Sequence, residues 1–311
     1  MNGAPGNSSS PAANRFTLWS LQRRSAPYLF LLPFLILFFG FVLYPLANSI
    51  VLSFEKTAGP RLTRFVGLAH FRFLVCDWLF WVAVLNTIGF AIAFLSLQIP
   101  ASLALALLLN SPLVRCRNFF RFAFFSSNLV GQAFAAVLFT LLLVPRAGLI
   151  NRALGAVWPA LLELDWKSDP RFARVAILIA ALWLSVGYGM IYFLAALQAV
   201  DHELYDAATA DGAGPWSRLW HVTLPQIRPV TVFLILIGTV SSLSLFELPY
   251  VFFQGPGPRF AGLTIVQYLF AQGFGAGDLG YASAIAWALV LLIGSVTLVQ
   301  IRIFRSDGEH P

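Results

Sequence analysis

The chain has 311 residues, of which 59% are hydrophobic and only 11% charged, and its mean hydropathy is +0.79. A water-soluble domain carries about 25% charged residues, so there is too little polar surface here to cover a globule in water. The net charge of +7 is scattered singly or in small groups between apolar runs, which fits anionic headgroups and argues against nucleic acid as a partner.

The apolar residues come in solid stretches rather than in the short alternating segments of a β-barrel. Each is long enough for a helix to cross about 30 Å of hydrocarbon. The predicted fold class is all-α, a polytopic bundle of six transmembrane helices within residues 25–305. Residues 1–24 read as a tail that begins small, polar and rich in Pro, Gly and Ser, a composition that stays disordered. Residues 306–311 read as a second, short tail.

The first run, 28–54, lies in an uncharged stretch of 30 residues from Ser25 to Phe54. That is far longer than the apolar core of a signal peptide, about 7–15 residues, so it reads as a retained helix. The second run, 78–110, would be about 50 Å long as one straight helix, which requires tilt, a kink at Pro100 or an end in the interface. The remaining runs are 122–145, 175–200, 230–253 (interrupted only by Glu247) and 279–301. Loops of 55–77, 111–121, 146–174, 201–229 and 254–278 connect them. An even helix number puts both termini on one side, but Lys and Arg count ten on each side, so charge bias does not orient the chain. Cys76 and Cys116 flank the second run, so they belong to opposite faces and are not expected to pair.

Loop 201–229 carries the most local structure. Asp201 suits a helix cap, with Glu203 in the first turn. Leu204, Ala207, Ala208 and Asp211 share one helical face by their spacing. Gly212 suits the left-handed residue that ends this helix, and Pro215 suits the opening of a second one with Trp216, Leu219 and Trp220 on its apolar side. Pro225 and Pro229 are expected to stop the second helix before run five. On the residues alone, this helix–turn–helix is either an amphipathic connector on headgroups or a docking element whose alanines let a partner approach closely.

The same residues resemble the signature loop of binding-protein-dependent ABC import permeases, the EAA loop. Its pattern is Glu-Ala-Ala, three residues, Gly, nine residues, then Ile-x-Leu-Pro. Asp206, Ala207 and Ala208 stand for the first three, Gly212 falls at the right spacing, and Val222, Thr223, Leu224 and Pro225 follow nine residues later. Asp206 and Val222 depart conservatively from Glu and Ile. The resemblance spans about 28–305 and is closest to the sugar branch, through NTIGFAIAFLSLQIPASLALALLLN (86–110), RCRNFFRFAFF (115–125), GLIN (148–151), WLSVGYGMIYFLAALQAV (183–200) and LGYASAI (279–285). Ser126-Ser127 and Gln254-Gly255-Pro256-Gly257 depart from that branch.

The resemblance implies a permease subunit in a prokaryotic inner membrane, with loop 201–229 and both termini in the cytoplasm. It implies a second permease subunit, two ABC ATPase subunits, an extracytoplasmic solute-binding protein that meets loops 55–77 and 146–174, and a sugar or polyol substrate. Asp206, Ala207, Ala208, Asp211, Gly212, Leu224 and Pro225 would then couple to the ATPase. The chain is not expected to be an enzyme or to hold a cofactor, ATP and magnesium belonging to the partner. Neither Lys56 nor Lys167 sits in a phosphate-binding glycine loop, and no histidine spacing suggests a metal.

Sugars require hydroxyl or amide partners and a flat apolar face. Run four offers Trp183, Ser185 and Tyr188, and run five Ser241 and Ser242. In the sugar branch the substrate contacts lie on these two helices, which makes them candidates beside ordinary packing. Glu247 is either a buried functional charge or a residue at a helix end. A secondary transporter, and a membrane scaffold or receptor recruiting a soluble partner through loop 201–229, are the rival readings.

Overall fold

The computed structural model describes residues 28–57, 63–111 and 114–306. The expected tail 1–24 and residues 307–311 lie outside them. Five helices are long and apolar enough to span a membrane: α1 (Tyr28–Leu52), α3 (Trp78–Asn110), α7 (Pro170–Ala199), α9 (Pro215–Leu243) and α12 (Leu279–Ser306). A sixth span is a bent pair, α4 (Arg117–Ser126) and α5 (Gln132–Leu142). Shorter pieces fill the loops: a hairpin of β1 (Glu55–Thr57) and β2 (Thr63–Phe65), then α2 (Ala69–Cys76), α6 (Leu149–Val157), α8 (His202–Ala210), α10 (Glu247–Phe253) and α11 (Ile265–Phe270). The two strands pair antiparallel, with Lys56 opposite Arg64.

The second run is one helix of 33 residues that continues through Pro100. Runs three and five differ from expectation, because neither is a continuous span. Run three bends by 104° between α4 and α5. The sequence Ser127-Asn128-Leu129-Val130-Gly131 replaces strong helix formers there, and the Ser127 and Asn128 side chains bond backbone carbonyls. Run five ends as a helix at Leu243 and restarts at Glu247. Thr264 Oγ1 donates to the Leu245 carbonyl at 2.7 Å, satisfying one group freed by that break.

The second helix of loop 201–229 also differs from expectation. Pro225 and Pro229 do not stop it: Pro215–Leu243 is one helix of 29 residues that rises from the loop into the membrane. The reason is a wide turn at Leu219–Thr223, where the Leu224 N–H reaches back to the Leu219 carbonyl. That five-residue step absorbs the donor that Pro225 lacks.

Three apolar clusters hold the bundle. One joins the half-helices α5 and α10 to α7, through Phe139, Leu248, Phe252 and Ile177. A second gathers the N-terminal end of α3, α11 and α12, through Phe80, Ala83, Ile265 and Ile285. The third binds the other end of α3 to α7 and α9, through Leu109, Phe193 and Ile227. Cys76 and Cys116 are free and exposed near opposite ends of α3.

Helix contact is close where small residues meet, as expected when lipid supplies no hydrophobic drive between helices. A Cβ on Gly187 would fall 1.9 Å from the Phe124 carbonyl oxygen, so α7 crosses the bent span at backbone contact. A Cβ on Gly280 would fall 1.8 Å from the Glu55 carbonyl oxygen, where α12 meets the hairpin. Beside it, Asp77 caps α3 through the Leu79 N–H and accepts the hydroxyls of Tyr268 and Tyr281, joining three elements at one buried carboxylate.

Loop 146–174 is ordered from within. Asn151 is fully buried, donates to the Leu164 carbonyl at 2.8 Å and accepts from Trp166 Nε1 at 2.8 Å. Ser168 Oγ and the Lys167 N–H bond the Asp165 carboxylate and hold its pKa below the ordinary value. Burial lowers the Lys167 pKa, and its ammonium lies 4.8 Å over the Phe252 ring.

Candidate transport pathway and coupling loop

Both broken spans deliver their breaks to one cavity of about 410 Å³. Asn128 and Val130 come from the α4–α5 break, Leu245 and Leu248 from the α9–α10 break, and α3, α7 and α9 close the remaining walls. Non-helical backbone at membrane depth is stable only where protein buries it or where it lines a cavity. The two breaks and the cavity are therefore one feature.

Of the six candidate path residues, four line this cavity: Ser185, Tyr188, Ser241 and Ser242. Trp183 does not. It points to the α5 side of α7, where its ring meets Phe139 edge-on at 5.7 Å between centroids. Glu247 does not line it either. In this chain it is exposed in the first turn of α10, where a carboxylate suits the positive end of the helix. Three amides that sequence reading missed do line the cavity: Gln98, Asn128 and Gln132. Gln98 was signalled by being an amide deep inside the second apolar run. Asn128 lies in the break that hydropathy hid, and Gln132 follows it.

The loop 201–229 candidates stand together at the end of the bundle where α3 finishes. Asp201 caps α8 by accepting the Glu203 N–H at 3.0 Å. At the other end the Ala213 N–H bonds Ala208 O at 2.9 Å and the Gly212 N–H bonds Thr209 O at 3.0 Å. This pair of bonds turns the chain through a left-handed residue, and Gly212 has φ +78°. Nothing stands within 4 Å of where a Gly212 Cβ would be, so the backbone angle, not space, selects glycine.

α8 buries none of its residues. Tyr205 and Ala208 turn partly inward, and Tyr205 Oη bonds Thr223 Oγ1 at 3.1 Å. Arg218 Nη1 donates to Thr209 Oγ1 at 3.1 Å, a second tie to α9. Leu204, Asp206, Ala207 and Asp211 are left exposed, so the face read from spacing is the outer one, except for Ala208. Leu224 is half-buried and Pro225 exposed on α9 immediately above.

A bundle of membrane-length helices, with a largely apolar cavity that carries amides and hydroxyls at its breaks and a short exposed helix outside it, fits a solute-transport subunit. The chain belongs to the family described as binding-protein-dependent transport system inner membrane component, whose profile matches residues 8–306. It is thus the permease type of subunit of an ABC importer, a multi-pass inner-membrane protein. It is 33% identical over 309 residues to the arabinooligosaccharides transport system permease protein AraP of Bacillus subtilis, covering 96% of each chain. It is 33% identical over 275 residues to the lactose transport system permease protein LacF of Rhizobium radiobacter, covering 88% of this chain and 92% of that one. It is 31% identical over 288 residues to the sn-glycerol-3-phosphate transport system permease protein UgpA of Yersinia pestis, covering 89% and 92%. The fold superposes with TM-score 0.81, at 24% identity and over 94% of this chain and 98% of that one, on a chain of a bacterial alginate ABC transporter in complex with an alginate pentasaccharide-bound periplasmic protein.

Proposed function

We propose that this chain forms one half of the translocation pathway of an ATP-driven importer of a sugar or related polyol, paired with a second permease subunit. The relatives named for arabinooligosaccharides and lactose support the substrate class. The hydroxyls and amides of an otherwise apolar cavity support it chemically, because a sugar ring presents hydroxyls at its rim and C–H groups on its faces.

The observation that carries the reading is α8. Asp206, Ala207 and Ala208, which open the EAA pattern, fall on a helix with no buried residue, capped at one end by Asp201 and turned at the other by Gly212. A helix held off the body by two side-chain ties suits transmission of motion from a partner. In this reading an ABC ATPase takes Asp206, Ala207 and Asp211 in a groove, and Leu224 and Pro225 carry the displacement into α9. Two ATPase subunits serve the two permeases and hold the ATP and magnesium. Loop 201–229 and both termini face the cytoplasm, while loops 55–77 and 146–174 meet an extracytoplasmic binding protein.

Co-purification tests this. With this chain, a second permease and an ATPase each tagged in turn, every tag is expected to retrieve all three from solubilised membranes. Retrieval of this chain without any ATPase, at intact α8, overturns the coupling assignment.

A further inference from the structure

A second hollow, of about 250 Å³, lies between α3 and α7. The two helices run parallel. Arg174 bonds Asn86 near their starts, Ser102 bonds the Val186 carbonyl further along, and Leu109 and Leu197 share an apolar cluster near their ends. The hollow's polar side chains, Asn86 and Arg174, lie toward the starts of the two helices, and Gly89, Phe90, Ala93 and Leu178 follow them. From Asn86 to Ala93 the helix rises about 10 Å. A polar head followed by an apolar track is the profile of an amphiphile. Gly89 keeps the track open, since a Cβ there would meet nothing within 4 Å.

The polar end is built around a cation. Arg174 is exposed one turn inside α7, which begins at Pro170. A long cationic side chain near the end of a spanning helix reaches to headgroup level. Its Nη2 donates to Asn86 Oδ1 at 3.2 Å. Asn86 is fixed in turn, because its Nδ2 donates to the Phe260 carbonyl at 2.7 Å and the Leu263 carbonyl at 3.1 Å. The guanidinium is thus placed by one N–H and keeps others for an oxyanion such as phosphate. No Asp or Glu lines the hollow, and no ion pair involves Arg174 among the described residues. The positive charge is uncompensated there, and an ammonium group would find no carboxylate.

We infer that the hollow between α3 and α7 is a binding site for an anionic phospholipid, with its phosphate on Arg174 and an acyl chain along Gly89 and Ala93. A zwitterionic phospholipid binds there less well, because its ammonium group is left without a partner. Phe90 and Leu178 line both this hollow and the transport cavity, so the bound chain and that cavity share one wall. The inference rests on the membrane-spanning fold and holds for any solute that the permease carries.

The test is photo-cross-linking from the rim of the hollow. p-Benzoylphenylalanine replaces Leu85, which lines the hollow and is exposed. The chain, assembled with its second permease and ATPase, is placed in nanodiscs of equal parts phosphatidylglycerol and phosphatidylcholine with the same acyl chains, and the adducts are weighed by mass spectrometry. Phosphatidylglycerol adducts are expected to exceed phosphatidylcholine adducts about fivefold, the effect of one arginine beside anionic headgroups. Arg174→Gln, which keeps an N–H for Asn86 and loses the charge, is expected to bring the two adducts level. Gly89→Leu, which fills the track, is expected to do the same. Equal adducts in the unaltered complex would mean bulk lipid only and overturn the inference. An unchanged preference in assembled Arg174→Gln complex overturns it as well, and Gly89→Leu decides in the same way if Arg174→Gln does not assemble. Cross-linking to the second permease in place of lipid assigns the hollow to a subunit contact and also overturns it.

Discussion

Gly187 of α7 lies against the carbonyl of Phe124, so that a single added carbon at Gly187 would stand 1.9 Å from that oxygen. The contact locks α7, the most buried of the membrane-length helices, onto the C-terminal end of α4, immediately before the break that lines the cavity. Gly187→Ala is therefore expected to separate α7 from α4 and to destabilise the fold by about 1–3 kcal/mol or more. Thermal unfolding in detergent checks this, with Gly294→Ala as the control because nothing stands within 4 Å of its added carbon. Equal melting temperatures for the two variants would show that the crossing is looser than described.

Tyr188 and Trp183, which the sequence paired, are expected to behave differently. Tyr188 lines the cavity, whereas Trp183 packs on Phe139. Tyr188→Ala is expected to raise the KM for uptake about tenfold with normal complex yield, as loss of a ligand contact does. Trp183→Ala is expected to lower the melting temperature and leave KM nearly unchanged. Concentration-dependent uptake measured beside thermal unfolding separates the two.

Gly212→Val is expected to leave membrane insertion and pairing with the second permease intact. Valine at φ +78° is strained by more than about 1 kcal/mol, and relief of that strain re-aims α8 relative to α9. ATPase recovery in a pull-down is expected to fall and uptake to disappear. Full ATPase recovery with normal uptake would remove Gly212 from the coupling element.

The orientation has its own reporters. Cys76 and Cys116 are exposed near opposite ends of α3, and Ser217 is exposed at the start of α9. With the other cysteines replaced, Cys116 and a cysteine at Ser217→Cys are expected to react with an impermeant maleimide only from the cytoplasmic side. Cys76 is expected to react only from outside. Labelling of Ser217→Cys in intact cells would invert the topology.

The bundle was legible because hydropathy counts apolar residues over a window, and six windows pass. The breaks were not, because Ser127 to Gly131 and Ser244 to Phe246 interrupt backbone continuity without lowering apolar content enough to show. Proline misled in the other direction: Pro225 reads as a stop, yet one wide turn upstream lets the helix pass. Loop 201–229 was legible to its capping bonds, since caps and left-handed glycines are local in sequence. Asp77, Tyr268 and Tyr281 meet across about two hundred positions, and nothing local at Asp77 announces two tyrosines. The quoted motifs gained a physical basis only with the structure. GLIN holds the buried Asn151, while WLSVGYG and LGYASAI hold the glycines that touch Phe124 and Glu55.

Reconstituted uptake tests the central claim most directly. The chain, its second permease and the ATPase are placed in vesicles with ATP at the ATPase face, and labelled saccharide is supplied with the binding protein on the opposite face. The account predicts uptake that requires both ATP and binding protein, stops with vanadate and is lost in Gly212→Val. Uptake that proceeds without ATP, driven by an imposed ion gradient and indifferent to vanadate, would contradict it.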